Sequence, residues 1–313
     1  MRSGQYTPED FIVADAKDGD MAFGLLAPGP KVDGALKVKA DYLDAITAMT
    51  RSGLVDVMLL SASSAETLNR KGVFDGSAVT PAVRMNDTTD IWMARGAKYC
   101  ESPSRPFSTA DIALVSAFCG LGLYSMTFSN HLEADHASLE AYRDFRHAVR
   151  SFEFRHFLEV FNPAFDIGIP KAELGDYIND MIIKAIAGVT ASDAPQFLKI
   201  QFNGQRAMSE LSSYDPENLV VGILGGAKGT TRDTFELAHQ AEQSGARVAL
   251  FGRKINLSEA PLELVRLLRE TIEQRSSPEQ AVRLYHEHLA ELGVSPQRSL
   301  PEDLEITDPV LMS

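Results

Sequence analysis

Lys199 stands inside the apolar run Phe197-Leu-Lys-Ile. An amine there either points into an interior or snorkels towards an ion pair at the end of its element. In an interior, desolvation or a neighbouring cation disfavours the ammonium and lowers its pKa. A neutral amine is what attack on a carbonyl requires, so this position suits a Schiff-base nucleophile. Glu159 lies in a second run of the same kind, His156-Phe-Leu-Glu-Val-Phe. A carboxylate there is costly unless it is paired or functional. It suits a shuttle of protons to and from an iminium, and a salt bridge to Lys199 would not exclude that role.

Other polar residues fall at the ends of apolar runs. Asp15 follows Phe-Ile-Val-Ala and reads as a second carboxylate or as a holder of a lysine. Lys17 is either close to the substrate or an exposed loop lysine, and Asp18 and Asp20 read as solvated loop charges. Arg84 comes with Asn86 and Asp87 and is a candidate substrate-binding cation. Tyr124, in Leu-Gly-Leu-Tyr-Ser-Met-Thr, is either a catalytic phenol or a packed tyrosine. Gly225-Gly226, with Lys228 nearby, and Gly252-Arg253 let backbone N–H groups approach an anion, with a forked cation beside them. The alternative is two ordinary turns with a surface arginine. The Gly225 segment is not a P-loop, because no Gly-Lys-Ser/Thr follows at the needed spacing.

His131, Glu133, Asp135 and His136 resemble metal ligands in type, but two histidines five apart do not share a helix face. Cys100 and Cys119 have neither metal nor redox spacing and read as inert thiols.

Positioning these groups requires a scaffold, and the chain alternates short β-branched runs with amphipathic stretches. That is the signature of repeated βα units around a parallel sheet. Eight strands are expected: 11–15, 54–60, 78–84, 121–127, 156–161, 197–202, 219–224 and 246–251. The third carries Pro81, which cannot donate to a ladder. Helices are expected over 41–52, 171–188, 231–244 and 261–274. The second of them shows Leu174, Ile178, Ile182 and Ile186 at a four-residue period. Residues 21–40, rich in Gly and Pro, read as a loop over one end. Residues 276–293 read as an extra helix with Ser277 as N-cap and Pro278 at its first position, followed by an acidic tail over 294–313. Eight strands close a barrel, so the fold class is α/β, a (β/α)8 TIM barrel with an extra C-terminal helix and tail. One domain over residues 1–313 is expected, with 276–313 packed on the barrel or on a neighbouring subunit. In such a barrel, chemistry sits at the C-terminal ends of the strands, where the residues above fall.

Of the 313 residues, 44% are hydrophobic and 23% charged, which suits a large core and argues against disorder. A net charge of −13 argues against nucleic acid or an anionic membrane as partner. Residues 1–10 contain no apolar stretch of the signal-peptide kind. No uncharged apolar run approaches the ~18 residues of a spanning helix. A cytoplasmic protein is expected, and barrels with extra terminal helices often assemble as homo-oligomers.

Leu-Glu-Val, Leu-Lys-Ile, Gly-Gly and Phe-Gly-Arg, in this order on the fifth to eighth strands, resemble the class I (Schiff-base) aldolases of the DeoC/LacD group. That group includes tagatose-bisphosphate and archaeal-type fructose-bisphosphate aldolases. The similarity runs from about residue 155 to 272. The resemblance implies a Schiff-base role for Lys199, an acid/base role for Glu159 and a site aspartate at Asp15. It also implies phosphate binding at Gly225, Gly226, Gly252 and Arg253. A small sugar phosphate is then the expected partner, and no metal or organic cofactor is needed. The chain departs from the group in three places. Its fourth strand lacks the lysine of some members, Lys254 replaces the asparagine of Gly-Arg-Asn, and Gln201 stands where some carry an acid. These differences bear on the substrate more than on the lysine chemistry. Two other readings use the same residues: a metal-dependent aldolase or isomerase, and a sugar-phosphate-binding regulator without turnover.

Overall fold

The structure is a computed structural model that describes residues 6–31, 34–91 and 94–312. Met1–Gln5, and Val32 and Asp33 within the expected loop, lie outside the described residues. Eight parallel strands close a barrel, as the alternation predicts: β1 Ile12–Lys17, β2 Val57–Leu60, β3 Thr80–Arg84, β4 Leu121–Thr127, β5 Arg155–Phe161, β6 Leu198–Ile200, β7 Val221–Leu224 and β8 Val248–Phe251. β1 closes the ring between β2 and β8. Pro81 is tolerated because it stands near the start of β3, where the strand is still partly exposed.

The connecting helices are α1 Lys39–Ser52, α2 Ala62–Arg70, α3 Leu132–Val149, α4 Leu174–Ile186, α5 Gln205–Tyr214, α6 Thr231–Gln243 and α7 Pro261–Ile272. Between β3 and β4 there is a short antiparallel pair, Asp87–Thr88 with Pro106–Phe107, and a single helical turn, Ile112–Val115. Three of these helices, α2, α3 and α5, are not among the four expected from the sequence. In α3 the buried positions are Ala134, Ser138, Tyr142 and Val149, so its inward stripe is thin and its acidic first turn dominates the pattern.

Strand parity divides the interior in two. Ala14, Leu59, Leu123, Phe157, Val248 and Leu250 fill the inside of the barrel. Phe157 stacks on Phe197 there at 4.4 Å between ring centroids. Full burial of one such ring contributes about 1.5–3 kcal/mol. Residues of the opposite parity, such as Val13, Leu198 and Ile200, belong to the larger core under the helices, with Ile178 and Ile182 of α4.

The extra helix α8, Pro278–Glu291, has Ser277 as its N-cap, reciprocated by Gln280. It packs against α6 and α7. The segment that follows docks on the start of α6. Thr230, one residue earlier than the expected helix start, caps α6 and forms a box with Asp233. The Asp233 carboxylate also accepts the N–H of Thr307 at 2.8 Å and of Asp308 at 3.2 Å. Thr231 N–H donates to Asp303 at 2.8 Å. Asp233→Ala therefore removes the reciprocal half of the capping box and the tether of Thr307 and Asp308. The expected loss is about 1–2 kcal/mol, read by chemical denaturation, with new protease cleavage in that segment. An unchanged cleavage pattern would show that the tail is held elsewhere.

Candidate active site

β6 is short, and its parity sends Leu198 and Ile200 outwards and Lys199 into the barrel mouth. Lys199 is 4% exposed. Its neighbour in the ladder on one side is Glu159 of β5, and on the other Gly222 of β7. A Cβ at Gly222 would come within 2.7 Å of Val248 Cβ and 2.8 Å of the Leu198 carbonyl, so only glycine fits beside the lysine. Lys199 Nζ lies 2.5 Å from Glu159 Oε1.

The other Glu159 oxygen accepts from Arg84 at 2.9 Å and from Ser125 Oγ at 2.7 Å. Arg84 is a hub. Its Nε donates to Asp18 at 2.5 Å, and one terminal nitrogen donates to Asp87 at 3.2 Å and to Ser125 Oγ at 2.8 Å. Burial would lower the pKa of the guanidinium, but Asp18, Asp87 and Glu159 together hold it above its usual range. Burial pushes Asp18 up, yet Arg84 and then Lys199 outweigh it and leave the carboxyl below its ordinary value. For Asp87 burial prevails over Arg84 and the pKa rises. Asp18 was expected as a solvated loop charge. The structure corrects this: it is 5% exposed and part of the cluster. Asn86 clamps the Ser125 backbone, accepting its N–H at 2.6 Å and donating to its carbonyl at 2.8 Å.

Asp15 and Lys17 are not in the mouth. β1 runs on to Lys17, so Ala14 and Ala16 face inwards, while Asp15 and Lys17 are buried behind the wall. Lys17 Nζ lies 3.4 Å from Asp15 and donates to Asn256 at 2.9 Å. Asn256 in turn donates to the Ala27 carbonyl, which ties the segment after β1 to the turn after β8. Burial lowers the Lys17 amine despite Asp15. Burial also raises Asp15 to about 6 against the attraction of Lys17. A carboxyl with a raised folded pKa adds stability below its unfolded value and loses it as the pH rises through the folded one. Asp15→Asn is therefore expected to flatten the dependence of Tm on pH between about 4 and 6. An unchanged slope would remove Asp15 from the linkage.

Tyr124 also faces outwards, since Leu123 and Ser125 take the inner positions of β4. Its ring packs on Tyr142 and Phe145 at centroid distances of 5.2 and 4.7 Å, and burial raises its phenol. Ser125 is the mouth residue that the sequence pattern does not single out, and Asp18 joins it from outside the expected strand. Extending the parity of Leu121 and Leu123 by one step would have found Ser125.

Opposite the cluster, Gly225, Gly226, Gly252 and Arg253 line a cavity of about 250 Å³ that also reaches Lys199, Glu159, Arg84 and Asp18. Gly226 has φ +64, and a Cβ at Gly252 would stand 2.9 Å from the Ala16 carbonyl, so both positions favour glycine. Arg253 forms the first residue of a helical turn, Arg253–Asn256, and its guanidinium lies 5.2 Å from the Phe23 ring centroid. Burial lowers its pKa. Phe23, Leu26 and Ala27, from the expected loop, cover this end of the cavity. Lys254 is buried, donates to the Lys228 carbonyl at 3.1 Å and is lowered to about 8 by burial. It joins the loop after β7 to the turn after β8. Three buried lysines thus exist, Lys17, Lys199 and Lys254, and among the described residues Lys199 alone of them lines the cavity.

His131 caps α3, and Asp135 accepts the N–H of Ser129 and of His131. His136 faces Glu140 on the surface. Among the described residues no three His, Cys, Asp or Glu converge as a metal site. Cys100 is exposed and Cys119 buried, both as free thiols. Among the described residues no helix is long and apolar enough to cross a membrane.

The chain matches no family model, and no curated protein matches it in sequence. Solved structures do resemble it. A fructose-bisphosphate aldolase from Slackia heliotrinireducens superposes with a TM-score of 0.64 at 14% identity, covering 89% of this chain and 86% of that one. A Schiff-base-forming fructose-1,6-bisphosphate aldolase gives 0.61 at 14% identity, covering 85% and 96%. An archaeal fructose 1,6-bisphosphate aldolase gives 0.58 at 13% identity, covering 86% and 96%. What is shared at this distance is the fold.

Proposed function

We propose that the chain is a class I aldolase that cleaves or forms a C–C bond in a phosphorylated ketose or a close analogue. The observation that carries this reading is a cavity-lining amine, Lys199, 2.5 Å from a buried carboxylate, Glu159. Glu159 takes a proton from the Lys199 ammonium, and the free amine adds to the substrate ketone. Glu159 returns the proton to the carbinolamine hydroxyl, which leaves as water and yields an iminium. The electron pair of the breaking C–C bond moves into the iminium to give an enamine. The hydroxyl proton of the departing aldehyde passes to Glu159. Arg84 and Ser125 fix the Glu159 rotamer. Arg253 and the N–H groups around Gly225, Gly226 and Gly252 anchor the phosphate. Tyr124, Asp15 and Lys17 have no direct part, because they lie behind the barrel wall.

Borohydride reduction in the presence of dihydroxyacetone phosphate tests the reading. A reduced adduct is expected on the peptide that contains Lys199, located by mass spectrometry. A sugar-phosphate-binding regulator on the same barrel would bind without forming it.

A further inference from the structure

Resting on that reading, we infer that the substrate carries a single anionic group, and that the aldehyde half is short, uncharged and partly apolar. Among the described residues, Arg84, Lys199 and Arg253 are the cations that line the cavity. Arg84 is held by three carboxylates and Lys199 by Glu159. Arg253, beside the glycines at the ends of β7 and β8, makes no ion pair among the described residues, so it is the cation open to a ligand phosphate.

The other end of the cavity differs. Arg84 of β3 and Glu159 of β5 stand there with Phe161, and Ile91, from the connection after β3, is a further apolar residue of the lining. Phe161 sits close to the hub, its ring centroid 5.9 Å from Arg84 Cζ. The cluster below sets three carboxylates, Asp18, Asp87 and Glu159, against two cations, Arg84 and Lys199, for a net charge of −1. A second phosphate placed there would meet like charge and apolar walls, and Arg84 could receive it only by giving up a buried partner. An aldehyde with a hydroxyl or a methyl group meets no such penalty. The bisphosphate aldolases that share the fold act on a sugar with two phosphate groups, so the inference separates this chain from them in substrate class.

Condensation assays on the wild-type protein test it. Dihydroxyacetone phosphate is offered with propanal, with lactaldehyde and with glyceraldehyde 3-phosphate, and product formation gives kcat/KM for each aldehyde. The uncharged aldehydes are expected to lead by at least about tenfold, since juxtaposed like charges are strongly disfavoured. Ile91→Lys adds a cation at the apolar end and is expected to narrow that ratio. Equal or better use of glyceraldehyde 3-phosphate by the wild type would overturn the inference. So would a Lys199 adduct with no condensation of either uncharged aldehyde, and both results would leave the Schiff-base reading standing. Failure of dihydroxyacetone phosphate to form any adduct on Lys199 would instead sink the Schiff-base reading and this inference with it.

Discussion

Lys199→Met is expected to abolish the borohydride-trapped adduct and to cut turnover by about 10⁶-fold, the scale on which loss of a covalent nucleophile is felt. Methionine keeps the length and much of the apolar stem of lysine, so the inner packing of β6 is preserved. Glu159 loses one partner but keeps Arg84 and Ser125 on its other oxygen, which limits the cost to the fold. Two more buried amines make the experiment discriminating. Lys254 is lowered to about 8 and Lys17 is also lowered by burial, so each has the chemical character of a Schiff-base former. What they lack is access, since Lys17 is committed to Asn256 behind the barrel wall and Lys254 to the Lys228 carbonyl. An adduct that persists in Lys199→Met, or that maps to Lys254, would show that reactivity follows the depressed amine rather than the cavity. A melting temperature near the wild-type value is needed alongside, so that lost chemistry is not confused with lost fold.

The barrel was legible because short, mostly apolar runs recur between amphipathic stretches, and eight parallel strands are the number that closes a (β/α)8 ring. The juxtaposition of Lys199 and Glu159 was legible for a related reason. A charge in the middle of a buried run has few places to go, and adjacent strands put such charges side by side. What could not be read was the face each residue takes. Strands of a parallel barrel are buried on both sides, so their sequences show no polar–apolar alternation. Asp15 and Tyr124 were assigned to the mouth by their position along the strand alone, and a shift of one residue sends a side chain to the other face. The same parity brings in Ser125, and the two-residue extension of β1 brings in Asp18. Asp87 stands three residues from Arg84, but Asp18 follows β1 and Glu159 lies within β5, so their convergence on Arg84 leaves no local trace.

That convergence gives the second large effect. Arg84→Met leaves three buried carboxylates without their common cation, and breaking such a cluster from one side costs about 3–5 kcal/mol or more. For a chain of this size the fall in Tm is about 5–10 °C. The sign of the pH dependence follows from Asp18. In the wild type its carboxyl is held below the ordinary value, so its stabilisation is present above the unfolded pKa of about 3.9 and fades as the pH falls through the folded one. Without Arg84, burial dominates and favours the protonated acid, so the variant gains stability relative to the wild type as the pH drops from 7 towards 4. The difference in Tm should therefore be largest at neutral pH and shrink on acidification. Arg84→Lys should recover only part of the loss, because a single ammonium cannot reproduce the fork that reaches Asp18, Asp87 and Glu159 at once. A difference that stays constant across this range, or full recovery by lysine, would mean that Arg84 contributes packing rather than charge, and that the geometry of Glu159 does not depend on it.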